Sequence, residues 1–227
     1  MKPFFLIPIL LLFSSSVFGQ ISYKENSEIN FTQAWVWEYK NELIPENEFG
    51  HQGEMVVYFH PELQYWLFTV EAYGVSGEMF DWILAKPDGS FWMQAKDEFG
   101  KSIRWEEKLE FKEVKHIPEY YFETGETKIF NQNDLGYEPI LGKEFKMKYE
   151  KTEDETCIHL AEFPINFDPI YFFNKLNLEA KIPVDFPNNL PGNQLVLGDK
   201  TQLANGQIRY KLKEISNTEY FVYLHQN

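Results

Sequence analysis

Residues 80–95, "FDWILAKPDGSFWMQA", constrain this chain more than any other stretch, because they form a hairpin that is apolar on both faces. Pro87 presets the first corner of a type I turn, Asp88 suits the second, and Gly89 can take the left-handed conformation of the following bulge. That turn predicts pairing of Lys86 with Ser90, Ala85 with Phe91, Leu84 with Trp92, and Ile83 with Met93. One face then carries Phe80, Trp82, Leu84 and Trp92. The other carries Ile83, Ala85, Phe91, Met93 and Ala95. A one-residue slip would exchange the two sets without exposing anything new, so the turn must set the register. A half-buried sheet needs one apolar face only, so whatever fold this chain adopts has to cover this hairpin twice.

Short apolar runs alternating with turn signals extend this pattern from Ala34 onward, as in an antiparallel meander. Residues 35–40, "WVWEYK", form a first strand candidate. "EMVVYFH" and "YWLFTVEA" flank a turn at residues 61–64, and "DEFGKS" is a turn before "IRWEEKLEFKEV". This last run alternates cleanly, with Trp105, Leu109 and Phe111 opposing Arg104, Glu106, Lys108 and Glu110. So do "KEFKMKYEK", through Phe145, Met147 and Tyr149, and "QIRYKLKEI", through Ile208, Tyr210 and Leu212. Strands from 55 to 95 therefore read as the covered middle of a sheet and the later ones as its solvated flanks. The fold expected is mainly β: a single curved antiparallel meander, or half-barrel, with one short helix packed on it.

That helix is expected over residues 169–178. Asp168 is a suitable N-cap, and Pro169 stands at the first helical position, where its missing N–H costs nothing. Ile170, Phe173 and Leu176 share a stripe broadened by Tyr171 and Phe172, and the prolines of "AKIPVDFPNNLPGN" end it. So short a helix must dock on the sheet to persist. It covers part of the second face and cannot cover all of it.

The opening residues read as a secretory signal: Lys2, an apolar run over 4–13, then Val17, Phe18 and Gly19 before Gln20. The run is shorter than the roughly 20 residues that span a bilayer. The expected organisation is a signal peptide at 1–19, a polar lead-in at 20–33 and one β-rich domain at 34–227. Secretion or a periplasmic location follows from that reading. Cys157 is the only cysteine, so no internal disulfide can staple the fold. The formal charge is −14, from 35 acids and 21 bases, without a run of bases. Nucleic acid, whose binding needs cationic patches, is therefore not an expected partner.

The meander beginning at Trp35 and ending at Phe111, the block at 138–163 ("EPILGKEFKMKYEKTEDETCIHLAEF"), and the helix followed by "GQIRYKLKEISNTEYFVYL" at 206–224 together resemble a known group. It is the LolA-like half-barrel superfamily of bacterial envelope proteins, with its related secreted families. The resemblance spans most of the chain after the signal. It implies a signal peptide, a sheet curled around helical or loop plugs, and a hydrophobic cavity between sheet and plug. No acyl-binding position matches one to one, so none is carried over.

No known catalytic motif emerges. "GVSGE" at 74–78 lacks the final glycine of a nucleophile elbow. His51, Glu54 and His60 are spaced wrongly for a helical metal site, and no metal or cofactor is expected. Cys157 and His159 share a strand face, but the acids Glu153, Asp154 and Glu155 disfavour a thiolate, so a buried core thiol is the better reading. Glu106 and Glu107 are an acid pair of the kind a glycosidase uses, but among 35 acids chance pairs are expected. The remaining signal is aromatic. Trp66, Phe68, Phe80, Trp82, Leu84 and Trp92 are the candidate ligand-binding residues, against the plainer reading that they are core. The expected function is non-enzymatic binding of an apolar small molecule, lipid or protein segment in the concavity. A carbohydrate-binding or surface-interaction module built on exposed aromatics is the alternative. N-terminal sequencing of the exported protein should begin at Gln20; a chain still starting at Met1 would contradict the signal.

Overall fold

A computed structural model describes residues 27–73, 80–111, 121–148, 155–176, 178, 180–187 and 190–224. The signal segment and its expected cleavage point lie outside these residues. The chain runs through β1 (Ser27–Asn41), β2 (Gln52–His60), β3 (Tyr65–Thr69), a helical turn α1 (Val70–Tyr73), β4 (Trp82–Ala85), β5 (Ser90–Lys96) and β6 (Ser102–Lys108). It continues through β7 (Tyr121–Phe130), β8 (Ile140–Lys148), β9 (Glu155–Glu162), a helical turn α2 (Asp168–Tyr171), a 3-10 turn (Phe173–Lys175), β10 (Gln194–Leu203) and β11 (Gly206–Leu224).

All the strands join one open antiparallel sheet, in the order β6-β5-β4-β3-β2-β1-β11-β10-β9-β8-β7. The protein is mainly β, as expected, but the path is two meanders rather than one. β1 to β6 build one wing and β7 to β11 the other, and the long strands β1 and β11 join them in the middle. The two edges, β6 and β7, are therefore consecutive in the chain. In a flat sheet they would lie about 48 Å apart, ten gaps of about 4.8 Å. The thirteen steps from Lys108 to Tyr121 reach about 47 Å only when fully extended. The sheet must curl.

The curl shows in the contacts across the second wing. Beyond β7, the Asp134 N–H donates to the Ile215 carbonyl on β11, and the Ile215 N–H donates to the Gln132 carbonyl, both at 3.0 Å. Lys128 on β7 reaches the Leu197 carbonyl on β10 at 3.4 Å. Gly142 on β8 permits this closeness, since a Cβ there would stand 2.5 Å from the Leu197 side chain.

The hairpin of β4 and β5 has the register that its turn predicts: Ile83 opposite Met93, Leu84 opposite Trp92, Ala85 opposite Phe91. Gly89 takes φ +85°, and Lys86 accepts its N–H at 3.2 Å. Ile83, Ala85, Phe91, Met93 and Ala95 all enter the main core. That core lies between the sheet and residues 163–190, the segment linking β9 to β10. Phe167 meets Trp35 edge-on at 5.6 Å, Phe173 packs on Phe68 at 4.2 Å, and Phe186 meets Trp37 at 5.4 Å. Two indoles also bind backbone: Trp66 donates to the Asn166 carbonyl at 2.8 Å and Trp37 to the Val196 carbonyl at 3.2 Å.

This plug is far less helical than expected. α2 is a single turn whose N-cap is Phe167 rather than Asp168, and Leu176 is already extended at φ −59°, ψ 136°. Ile170, Phe173 and Leu176 are nevertheless buried, as the spacing predicts. Helical spacing thus survives over two short turns, while packing on the sheet stands in for the missing helix length.

The second face of the hairpin is covered by a ribbon. β2 pairs with β1 only as far as Phe59 opposite Gln33, so the first residues of β1 pair with β11 alone. Two-stranded ribbons twist more strongly than wide sheets, and a register shift between Phe31 and Gln33 adds to this. Ile29, Phe31, Val222 and Leu224 pack into one buried cluster with Leu67, Trp82 and Leu84, and Tyr58 stacks on Tyr220 at 4.3 Å. This corrects the loose lead-in expected up to residue 33: from Ser27 the chain is strand, and Phe31 is fully buried. Only Ile29 and Phe31 carry the alternation there, too short a signal to stand out from a polar context.

Three further expectations change. Residues 70–72 leave β3 for α1. The doubly covered strands, β3 and β4, lie within one wing, and β1 and β11 occupy the middle. β6 is an edge strand with Trp105 37% exposed, not a half-buried flank. If the ribbon holds the second face, Phe31→Ala should cost about 3–5 kcal/mol in a urea titration, as truncation of a packed aromatic does. Phe99→Ala, at an 85% exposed site, should stay within about 0.5 kcal/mol of the parent.

Candidate functional site

The concave face is not filled to its end. Between the sheet and the plug segment 183–187 remains a pocket of about 470 Å³. Tyr39, Met147, Ile208 and Tyr210 form its sheet side, with Val184 and Phe186 opposite. The sheet positions follow from register: Tyr39 lies opposite Tyr210, and Tyr210 opposite Asp199. Phe186 meets Tyr210 edge-on at 5.0 Å, which anchors the plug at this point. Pro183 and Pro187 bracket the segment, preventing it from joining the sheet as a regular strand.

Polar side chains also line the pocket: Thr156, Asp199 and Thr201, together with Lys40, Asn41, Asp185 and Arg209. The Thr201 hydroxyl donates to the Asp199 carboxylate at 3.1 Å and lies 3.0 Å from the Thr156 hydroxyl. Asp199 is 7% exposed, and burial pushes its pKa up to about 7; the Thr201 hydrogen bond opposes that shift. A carboxyl group that is part neutral near pH 7 can donate or accept a hydrogen bond inside the pocket. An apolar concavity with a few convergent polar groups is the usual make-up of a small-molecule site.

The residues expected to bind ligand lie elsewhere, and they do not share a face. Trp66, Phe68 and Phe80 belong to the main core, while Trp82, Leu84 and Trp92 belong to the cluster beneath the ribbon. Phe80 precedes β4, so strand alternation does not govern its side. Trp92 is half-buried, with the Lys86 ammonium 3.2 Å from its ring centroid. The pocket residues form no contiguous sequence pattern because they come from five strands and an irregular loop. One signal is present: Asp199 closes the run "QLVLGD", which is buried from Leu195 to Asp199.

Cys157 and His159 do share a face, as their spacing predicts, but it is the face turned away from the plug. Cys157 is half-exposed rather than a buried core thiol. Burial raises its pKa, Glu144 and Glu155 raise it further, and Lys146 opposes them, so the thiol form is favoured. His159 lies 3.6 Å from Glu144, while burial and Lys128 lower its pKa. His51 is held by the Ile44 carbonyl at 2.6 Å, and His60 packs against Phe31. Among the described residues no group of His, Cys, Asp and Glu could hold a metal ion, and no helix is long and apolar enough to cross a membrane.

The raised pKa of Asp199 makes stability depend on pH. The folded chain binds this proton more tightly than the unfolded chain, where the ordinary value is 3.8. The contribution is therefore fully present below about pH 4 and is lost as pH rises through about 7. Asp168, pushed up to about 6 by burial, titrates in the same sense, so the informative quantity is a difference between parent and variant. Unfolding free energies of Asp199→Asn and parent should diverge across that window in favour of the variant, by at most about 4 kcal/mol at about 1.4 kcal/mol per pH unit. No family model matches the sequence and no curated protein is significantly similar to it.

Proposed function

We propose that this is a non-catalytic binding protein of the secreted or periplasmic compartment, which holds an apolar ligand in the concavity of its sheet. The observation that carries the reading is the pocket of about 470 Å³ between sheet and plug, walled by Tyr39, Met147, Val184, Phe186, Ile208 and Tyr210. Its volume falls within the roughly 300–1,000 Å³ range of small-molecule sites. The plug supports the reading too: it is held to the sheet through aromatic side chains and the indole N–H bond of Trp66 to Asn166. Such a segment can shift at one end without unpairing any strand.

The test is a titration with 1-N-phenylnaphthylamine, an uncharged apolar fluorophore, beside native mass spectrometry of gently purified protein. Binding by the parent and at least a tenfold loss in Ile208→Trp are expected, because Ile208 is half-buried at the pocket and a larger ring would fill it. Ile103→Trp, on the exposed edge strand β6, should bind as the parent does. A parent that neither brightens the probe nor carries a co-purified lipid would defeat the proposal.

A further inference from the structure

The face of the second wing turned away from the plug carries a larger hollow, of about 880 Å³, whose lining comes from seven strands and is rich in charge. The register sorts that charge into rows. One row runs Lys40, Arg209, Lys200, Cys157, Lys146 across β1, β11, β10, β9 and β8. Three cations thus stand directly opposite one another on adjacent strands, an arrangement that is destabilising by itself. The next row, Glu38, Lys211, Gly198, His159, Glu144, places Gly198 in the middle. Into that gap comes Lys128 from the curled edge strand, since a Cβ on Gly198 would stand 3.2 Å from its ammonium.

The carboxylates at this hollow are already engaged. Glu38 pairs with Lys211 at 2.8 Å, Glu54 with Lys213 at 2.6 Å, and Glu144 accepts from Thr124 at 2.9 Å while facing His159. At the ends of the cation row, Lys40 pairs with Glu42 at 3.9 Å and Lys146 with Glu155 at 3.0 Å. Asp199 also borders the hollow, but its side chain is buried and in register with the core residues Tyr210 and Ile158. Arg209, Lys200 and Lys128 make no ion pair within 4 Å among the described residues, although Glu38 acts on Lys128 from further off. Lys128 is half-buried, with burial and Lys211 lowering its pKa and Glu38 opposing them. In a chain of formal charge −14, three unmatched cations converging on one hollow call for an anion.

We infer that this hollow binds a multivalent oxyanion of the phosphate class, with Arg209 and Lys200 as the principal contacts and Lys128 closing from the curled edge. Arg209 supplies a planar fork suited to two oxygens at once, and the two lysines act as point charges. The site borders the apolar pocket, with which it shares Lys40 and Arg209 as lining, but its three cation contacts do not include the pocket's aromatic residues. A free phosphate compound and a lipid headgroup share this chemistry.

The experiment has two arms, both at constant ionic strength so that general screening cancels. In the first, inorganic pyrophosphate is titrated by calorimetry into the parent, into Lys200→Gln/Arg209→Gln, and into Lys143→Gln. In the second, the same proteins are sedimented with phosphatidic acid vesicles and with phosphatidylcholine vesicles. Both altered side chains of the double variant are exposed, so it should fold. Lys143 pairs with Glu123 outside the hollow and controls for loss of charge. The expected result is binding by the parent in at least one arm, a tenfold or greater loss in the double variant, and no loss in Lys143→Gln. Pyrophosphate binding alone marks a soluble ligand, and selective binding to phosphatidic acid vesicles alone marks a headgroup. The inference is overturned if the parent binds in neither arm, or if the double variant binds as tightly as Lys143→Gln.

Discussion

The antiparallel pairing of β1 with β11 is the interaction on which the rest of this molecule depends. It joins an early meander and a late one into a single sheet, and every other strand pair lies within one of the two wings. It also sets the two edge strands next to each other in sequence, which forces the sheet to curl. Because both strands outrun their neighbours, the free part of the pair twists away and lies across the second face of the β3, β4 and β5 region. One pairing thus supplies continuity, curvature and a cover. The cost is long-range contact formation, since partners such as Ile29 and Val222 stand at opposite ends of the described chain.

Each face of the sheet is satisfied in a different way. On the plug face, residues 163–190 bring a dense set of aromatic rings against Trp35, Trp37 and Phe68, and a loop of so little regular structure is tolerable because its backbone finds partners. Asn166 accepts from the Trp66 indole, Phe167 donates to the Gly192 carbonyl, and Phe163 to that of Asn193. Under the ribbon, the cluster is smaller and mixes tyrosines with aliphatic side chains. On the outer face of the second wing, cross-strand alternation gives way to water and charge.

The electrostatic pattern follows from this division. The acidic excess of the chain is spread over turns and exposed strand positions, whereas bases gather where β8 to β11 meet β1. Asp199 stands beside them in register with core residues, with its charge suppressed by burial. The sheet therefore separates an apolar pocket with a proton-binding carboxyl from a hollow dominated by cations. Tyr39, Lys40, Asp199, Arg209 and Tyr210 form part of the wall of both.

By itself the sequence determined whatever depends on neighbours close along the chain. The turn at Pro87, Asp88 and Gly89 settled the register of β4 and β5, two-residue alternation marked Tyr210 and Leu212 as inward, and helical spacing marked Ile170, Phe173 and Leu176 as buried. The all-antiparallel class followed from the succession of strands and turns. Only the tertiary structure decided that β1 begins at Ser27, that β1 and β11 are partners, and that the six aromatic and aliphatic candidates divide between two clusters. It alone assembled Tyr39, Asp199, Tyr210 and Phe186 into one pocket, and Lys40, Arg209 and Lys200 into one row. The physical reason is that alternation says which side chains share a face of a strand, but not which strand lies beside it. Neighbours in a sheet are chosen by the summed burial of both faces, and that sum exists only once the whole chain has folded.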